Sequence, residues 1–218
     1  MVQDCFFCGE TKFSLNRTVS LPCEESVIYQ DENLFITPDI APLVKGHFLI
    51  VTHEHLLSFA EATDSVVESV NKAKTFLKQT VFKGEDVFFF EHGAVNGNAN
   101  CDCVDHAHIH ALPISLDVSD IDNHVKNSGF AKEHKQIANQ ASLFEFFKSS
   151  QPYLYYEQSE EKWVYPVDNI PSQFFREMIA FRLKIEYNYN WKIQFRKEVS
   201  RQLFKDTLDM GLQDIKCF

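Results

Sequence analysis

The segment CVDHAHIHALP, residues 103–113, places three histidines at alternate positions: His106, His108 and His110. Side chains alternate between the two faces of a β-strand, so we expect these imidazoles to point the same way, about 7 Å apart per step of two residues. Imidazole is costly to bury and is not favoured in strands, so the row indicates function. Two chemistries use such a row: metal binding, and phosphate chemistry in which one ring nitrogen attacks phosphorus while neighbouring imidazoles bind phosphate oxygens.

Composition narrows the class of protein. The chain has 218 residues, 44% of them hydrophobic, which suits one domain or one domain with a large appendage. A net charge of −10 argues against general nucleic-acid binding. The sequence shows neither an apolar run long enough to span a membrane nor a signal peptide. The six cysteines, partly in CxxC and CxC pairs, favour thiols or a metal over a disulfide framework. We therefore expect a cytoplasmic protein.

Hydrophobic patterning predicts an antiparallel α+β arrangement in the first half of the chain. Residues 26–39 are typical of two short strands around a turn, and residues 46–52 and 85–92 are typical of buried strands. Residues 63–82 form an amphipathic helix pattern. Ser65 and Glu68 predict a capping box at its start. The apolar face of this helix consists of Val66, Val70, Ala73, Leu77 and Val81.

The second half is predicted to be mainly helical. One or two helices are expected within residues 120–150, a hairpin over 152–167, and helices over 170–185 and 196–212. Since no linker separates the halves, we expect them to pack together. The basic residues of this half are interpreted as a solvated face, with phosphate binding as the alternative, and its aromatic cluster as core. The basic residues are Arg176, Arg182, Lys192 and Arg196; the aromatic cluster is Phe174, Phe175, Phe181 and Trp191.

A metal site can also be assembled from the sequence. Cys5 and Cys8 form a CxxC pair, which is a usual half of a zinc site, although CxxC alone is also found in redox-active sites. His53 or His55, together with one histidine of the row, would complete a tetrahedral set. The rival set is Cys5, Cys8, Cys101 and Cys103, whose CxC pair is a tighter chelate than zinc sites usually use.

The order of three motifs carries a family resemblance. CFFC (5–8), KGHFLIVTHEH (45–55) and DHAHIHALP (105–113) follow one another as in the histidine triad (HIT) nucleotide hydrolases, which the chain resembles over about residues 5–113. The resemblance implies an α+β fold with an antiparallel sheet of about five strands and one long helix. It implies a HIT domain over residues 1–115, with residues 116–218 as a mainly helical extension packed on it.

The resemblance also implies roles for individual residues. His108 matches the nucleophile that takes up the nucleotidyl group, and His110 and His47 match imidazoles that bind phosphate oxygens. The ribose-binding acid corresponds to Asp39. The apolar walls of the base pocket correspond to Ile40 and to Phe6 or Phe7. A structural zinc ion would be held by Cys5, Cys8, His55 and His106, and would clamp the N-terminal segment to the histidine strand.

The implied activity is cleavage of a nucleotidyl phosphoanhydride or phosphoramidate through a covalent nucleotidyl-histidine, with release of nucleoside monophosphate. A sister branch carries Gln at the third triad position and transfers the nucleotidyl group, so His110 favours hydrolysis. A nucleotidyltransferase or phosphorylase is the alternative enzyme, and a zinc-bearing nucleotide-binding adaptor with little turnover is the alternative from another class. Family members commonly pair into two-fold dimers, so a homodimer is expected unless the extension blocks it.

Several residues depart from the family pattern near the triad. Glu91 falls near a substrate-binding Asn of the family, Asp102 stands where Gln is usual, and Cys103 where Ser or Thr is usual. These acids and Asp105 either point outward, orient His106 or His110, or select a different leaving group. Two further residues, His92 and Asn96, are candidates for replacement donors to the substrate or for plain loop residues.

Overall fold

The computed structural model describes residues 5–9, 15–21, 25–95, 104–129, 133–168, 172–185 and 189–213. Within them, eight strands form one antiparallel sheet with helices on both faces. The strands are Tyr29–Gln30 (β1), Leu34–Pro38 (β2), Phe48–Thr52 (β3), Phe88–Gly93 (β4), His108–Leu112 (β5), Lys135–Gln136 (β6), Tyr153–Gln158 (β7) and Glu161–Pro166 (β8). The helices are Leu15–Thr18 (α1), Asp64–Phe76 (α2), Val118–Asn127 (α3), Phe144–Lys148 (α4), Phe174–Arg182 (α5), Trp191–Gln194 (α6) and Glu198–Gln213 (α7).

The strand order is β1-β2-β3-β5-β4-β7-β8-β6. The α+β fold with an antiparallel sheet and one long helix is confirmed, but the prediction of about five strands was too low. The predicted hairpin forms as β7 and β8, and β7 pairs along β4 from Phe89 opposite Glu157 to Gly93 opposite Tyr153. The sheet of the first half therefore continues into the second half. A hairpin pattern shows that two strands pair but not which third strand they join.

The long helix buries the face expected of it. Val66, Val70 and Ala73 are buried on α2, and a π-helical turn over Leu77–Val81 continues the helix. The predicted capping box is wrong, because the N-cap is Thr63, whose side chain accepts the Val66 N–H at 3.4 Å. The helix starts before Ser65, so Glu68 lies beyond the first turn, out of position for a reciprocal cap.

The two faces of the sheet carry different helices. Lys74 of α2 lies over the Phe89 ring, whereas Phe175 of α5 packs against Phe90, the next residue of β4 and therefore on the opposite face. Phe174 and Phe175 are buried as expected. Phe181 is 59% exposed, so its assignment to the core was wrong, because it lies on the outer side of α5.

The C-terminal helix α7 packs against the first half of the chain. The Thr207 hydroxyl accepts the Gly46 N–H at 2.9 Å, just before β3. Gly211 lies so close to Ile28 that a Cβ there would come within 2.8 Å of its side chain. The two halves thus share a core, as their lack of a linker suggested. Among the described residues, no helix combines the length and apolar character needed to cross a bilayer.

Candidate active site

The antiparallel register brings the histidines of two strands together. Leu49 of β3 lies opposite His110 of β5, so His47, two residues before Leu49, shares the face of His110. The His47 Nε2 and His110 Nδ1 atoms are 2.9 Å apart, and both rings are buried. The His110 ring stacks on Phe90 at 4.3 Å between centroids. These packing contacts fix the plane of the His110 imidazole.

Hydrogen bonds with backbone groups define the tautomers of this pair. The Leu43 N–H donates to His47 Nδ1 at 3.1 Å, so the neutral ring carries its proton on Nε2. That proton is donated to His110 Nδ1, and the proton of neutral His110 is therefore on Nε2. His110 is thus set up as a donor through Nε2.

His108 has the opposite tautomer. Its Nδ1 lies 2.6 Å from the His106 carbonyl oxygen, which only accepts, so Nδ1 carries the proton. The unprotonated atom is Nε2, whose lone pair is available for attack. Burial lowers the pKa of His108, outweighing that hydrogen bond and the nearby Asp39 carboxylate, and this favours the neutral nucleophilic form.

The surrounding imidazoles are neutral as well. Burial lowers the pKa of His47 and of His92 to about 3 each. Burial, together with the neighbouring imidazoles, holds the pKa of His110 well below its usual value. At neutral pH these rings are therefore hydrogen-bonding groups without charge.

His106 lies beside the Cys5 and Cys8 sulfur atoms. It precedes β5, and its Nε2–H donates to the Thr52 carbonyl oxygen at 2.8 Å, so the lone pair of the neutral ring is on Nδ1. Nδ1 lies 3.3 Å from the sulfur of Cys5 and 3.5 Å from that of Cys8. Regular strand geometry begins only at His108, and the Phe7 ring packs against both His106 and His108.

The Cys–His cluster consists of Cys5, Cys8, His55 and His106, the four residues that the resemblance implied as zinc ligands. Their four ligand atoms all lie within 4.8 Å of one another, with His55 Nδ1 3.3 Å from the Cys8 sulfur. A zinc tetrahedron with ordinary bond lengths has edges of roughly 3.5 Å, so the donor set fits this ion. The rival His53 instead directs Nε2 to the Asp31 carbonyl oxygen at 3.0 Å. Cys101 and Cys103 of the rival set lie outside the described residues.

A cleft of about 560 Å³, open mouth included, lies on the His108 side of the sheet. We call it the triad cleft. Seven expected site residues line it: Phe6, Phe7, Asp39, Ile40, His92, His108 and His110. Six others also line it: Leu15, Leu49, Val104, Gln173, Arg176 and Trp191. Strand alternation in the sequence could have shown that Leu49 shares a face with His47. That residues of the second half line the cleft could be seen only in the tertiary structure.

Asp39 is buried in a polar network at the edge of the triad cleft. Its Oδ2 accepts from Arg176 Nη1 at 2.7 Å, and its Oδ1 accepts the Ala41 N–H at 2.7 Å. Burial alone would raise the pKa of Asp39, but Arg176 and His47 outweigh it and lower the pKa. Arg176 is only 2% exposed, so the expectation of a solvated side chain was wrong. Asp39, His47 and His110 are close enough to share an ion, but the guanidinium on Oδ2 opposes a cation there.

His92 lines the cleft and also holds the second half in place. Its Nε2 accepts the Phe175 N–H at 3.2 Å at the start of α5, and its ring stacks on Phe175. The proton of neutral His92 is therefore on Nδ1. Asn96, the other expected donor, lies outside the described residues.

Two of the acids that depart from the family pattern, Glu91 and Asp105, lie within the described residues. Glu91 follows Phe90 on β4 and points to the opposite face, where it accepts from the Phe59 N–H at 2.8 Å and from the Tyr153 hydroxyl at 2.8 Å. Asp105 is exposed. Asp102 and Cys103 lie outside the described residues.

Glu91 is expected to make stability depend on pH. Burial raises its pKa to about 7, so its favourable contribution is present below about pH 4.5 and is lost as pH rises through 7. Glu91→Gln mimics the protonated acid and should raise the free energy of unfolding at pH 8 by up to about 3 kcal/mol, with little effect at pH 5. Urea unfolding at both pH values measures this. Glu85→Gln, at an exposed position, is the control; equal effects of Glu91→Gln at both pH values would contradict the prediction.

The part of the sequence that contains most of the site residues matches a known domain family. Residues 22–115 match the family model described as the HIT domain. Over these residues, the chain is therefore similar to a HIT domain. A HIT-like protein of Methanocaldococcus jannaschii, described as uncharacterised, is 29% identical over 113 residues, covering 50% of this chain and 78% of that protein.

Solved structures are also similar to this chain, at low sequence identity. Yeast Ap4A phosphorylase Apa2 in complex with AMP is 17% identical, with a TM-score of 0.43 over 68% of this chain and 62% of that chain. This chain thus spans about three-fifths of the length of that phosphorylase. A zinc-bound histidine triad family protein from Mycobacterium smegmatis is also 17% identical, with a TM-score of 0.36 over 68% of this chain and 93% of that one.

Proposed function

We propose that this protein is a HIT-type nucleotidyl hydrolase acting through a covalent nucleotidyl-histidine on His108. The observation that carries the proposal is the tautomer of His108, whose Nδ1–H is held by a backbone carbonyl while Nε2 keeps its lone pair at the triad cleft. A neutral imidazole held in this way is an activated nucleophile. The neighbouring His110 Nε2–H supplies a donor for a phosphate oxygen.

The reaction has two steps. His108 Nε2 attacks the α-phosphorus, the N–P bond forms, and the bond to the leaving group breaks with its electron pair on that group. The ring becomes an imidazolium whose Nδ1–H stays on the His106 carbonyl oxygen, and the buried Asp39 carboxylate offsets its charge. Water then attacks phosphorus and loses a proton, the N–P bond breaks, and nucleoside monophosphate leaves with His108 neutral again.

The substrate class is a nucleotide in P–O–P or P–N linkage. Phe6, Phe7 and Ile40 supply apolar walls for the base, and Asp39 keeps one acceptor position on each oxygen for ribose hydroxyls. His92 supplies an Nδ1–H. The Glu91 carboxylate does not face such a substrate, because it lies on the other side of the sheet.

The Cys–His cluster is proposed to hold a structural zinc ion. Its four donors would leave no open coordination position, so the ion would clamp the N-terminal residues and the aromatic wall of Phe6 and Phe7 to the histidine strand. The bound ion would supply folding energy rather than a step of the reaction.

We also propose that the protein forms a homodimer, and the strand order of the sheet restricts which strands of two copies can pair. The edge of β4 opposite β5 is covered by the chain's own β7, so two copies cannot pair through β4. Strand pairing between copies would have to use β1 or β6, each two residues long. Sedimentation velocity measures the state directly.

The test of the function is turnover on diadenosine polyphosphates, a nucleoside phosphoramidate and a nucleotide sugar, with samples quenched in alkaline denaturant, which preserves a P–N bond, and weighed by intact mass spectrometry. The expected result is release of nucleoside monophosphate and a protein mass increased by one nucleotidyl group. Faster turnover with added phosphate and a nucleoside diphosphate product would identify a phosphorylase instead. Nucleotide binding without turnover or adduct would identify the protein as a nucleotide-binding adaptor and would contradict the proposal that it is an enzyme.

A further inference from the structure

Arg176, on α5 of the second half of the chain, contacts the residues of the triad site through its guanidinium group. Its guanidinium makes three different contacts: Nη1 to Asp39 Oδ2 at 2.7 Å, Nη2 to the Ala41 carbonyl oxygen at 2.7 Å, and Nε to the Tyr189 carbonyl oxygen at 2.9 Å. Each of the three nitrogen atoms thus has an acceptor, and the side chain is almost fully buried. Such a fork holds the guanidinium in one orientation.

The carboxylate that Arg176 holds lies directly beside the histidine pair. Asp39 Oδ2 is 3.6 Å from His47 Nε2 and 3.6 Å from His110 Nδ1, the two nitrogen atoms that share a hydrogen bond. Its other oxygen is fixed by the Ala41 N–H. The carboxylate therefore connects a residue of α5 to the hydrogen bond that sets the tautomer of His110.

We propose that Arg176 is a positioning residue of the triad site, which holds Asp39 against the His47–His110 pair and so keeps the His110 Nε2–H directed into the triad cleft. This inference rests on the proposed function and deepens it. The second half of the chain then contributes to the chemical step and not only to stability. Direct binding of the substrate phosphate by Arg176 is the rival role, and its three protein acceptors argue against it.

The kinetic test compares Arg176→Gln and Arg176→Lys with Arg182→Gln. Arg182 lies on the same helix but pairs with Asp120 at its exposed side, so it is the matched control. On the substrate that wild type turns over, Arg176→Gln should lower kcat about 10²-fold, the size of effect expected when a catalytic group is misplaced by about 1 Å, with a smaller rise in KM because Asp39 also faces the ribose. Arg176→Lys keeps the charge but loses the fork, so an intermediate loss is expected.

A second measurement does not depend on activity. Long-range ¹H–¹⁵N correlation of the imidazole rings reports which nitrogen carries the proton. In wild type and Arg182→Gln, His47 and His110 should each show the single Nε2–H tautomer; in Arg176→Lys, these signals should shift or broaden into a mixture. His134, whose Nδ1 lies 2.8 Å from an Asp122 oxygen, is the internal reference whose signals should stay unchanged.

The outcomes separate the inference from the proposed function. If wild type turns over nothing, the proposed function fails and the tautomer measurement alone decides the role of Arg176. A kcat in Arg176→Gln within threefold of wild type, or unchanged tautomers in Arg176→Lys, would overturn the inference. A large rise in KM at constant kcat would assign Arg176 to substrate binding instead. Should Arg176→Gln not fold, because it leaves Asp39 buried without its partner, Arg176→Lys carries both tests.

Discussion

His108→Ala is expected to lower kcat by at least about 10⁴-fold, because the variant lacks the atom that forms the bond to phosphorus. The remaining acceleration would come from binding and from the His110 donor alone. The measurement is release of nucleoside monophosphate, followed by chromatography under single-turnover and steady-state conditions. The variant should also show no nucleotidyl adduct by mass spectrometry.

The control for this variant is His124→Ala. His124 is partly exposed on α3 and packs on Phe174, outside the triad cleft, so activity should stay within about twofold of wild type. His108→Ala should still bind nucleoside monophosphate, since the walls of the cleft are intact. More than a tenth of wild-type kcat in His108→Ala would rule out the covalent-histidine mechanism.

Removal of the metal is expected to have the second large effect. If the purified protein holds one zinc ion per chain at about 1,000 times its Kd, chelation should cost about 4 kcal/mol of stability. For a chain of this size that corresponds to a melting temperature lower by roughly 10 °C. The reason is that the ion would join four ligands from the N-terminal segment, the residues after β3 and the residues before β5. Elemental analysis and thermal unfolding with and without chelator measure both quantities.

Two histidine variants sharpen the metal test. His55→Gln should lose zinc and reproduce the effect of chelation, because it removes one of four donors. His53→Gln, which changes the rival only two residues away, should keep its zinc. The zinc proposal would be contradicted if the purified protein contained no zinc and its melting temperature did not change with chelator.

The first half of the fold followed from local patterns. The long helix and the strands containing Leu49 and His110 were recognisable because hydrophobic period depends only on neighbouring residues. The N-cap at Thr63 was missed because Ser65 and Glu68 fit a capping box equally well in sequence. The place of β7 beside β4 was missed because strand pairing is non-local.

The site residues also differ in how far the sequence alone could predict their positions. The resemblance implied all four residues of the Cys–His cluster, and the structure places their ligand atoms within 4.8 Å of one another. Arg176 was misjudged because its spacing from Arg182 describes only the surface of one helix, whereas its burial depends on Asp39, far away in the chain. Glu91 seemed close to the substrate in sequence, but strand alternation turns it to the other face.

By itself, the sequence determined the sheet-and-helix core, the histidine row and the ligand types, because these depend on periodicity and on residue chemistry. Only the tertiary structure decided that His106 turns to the cysteines, that β7 covers the edge of β4, and that Arg176 holds Asp39 beside the histidine pair. Each of these depends on contacts between residues distant in the chain. Such contacts are selected by the packing of the whole core rather than by any local pattern.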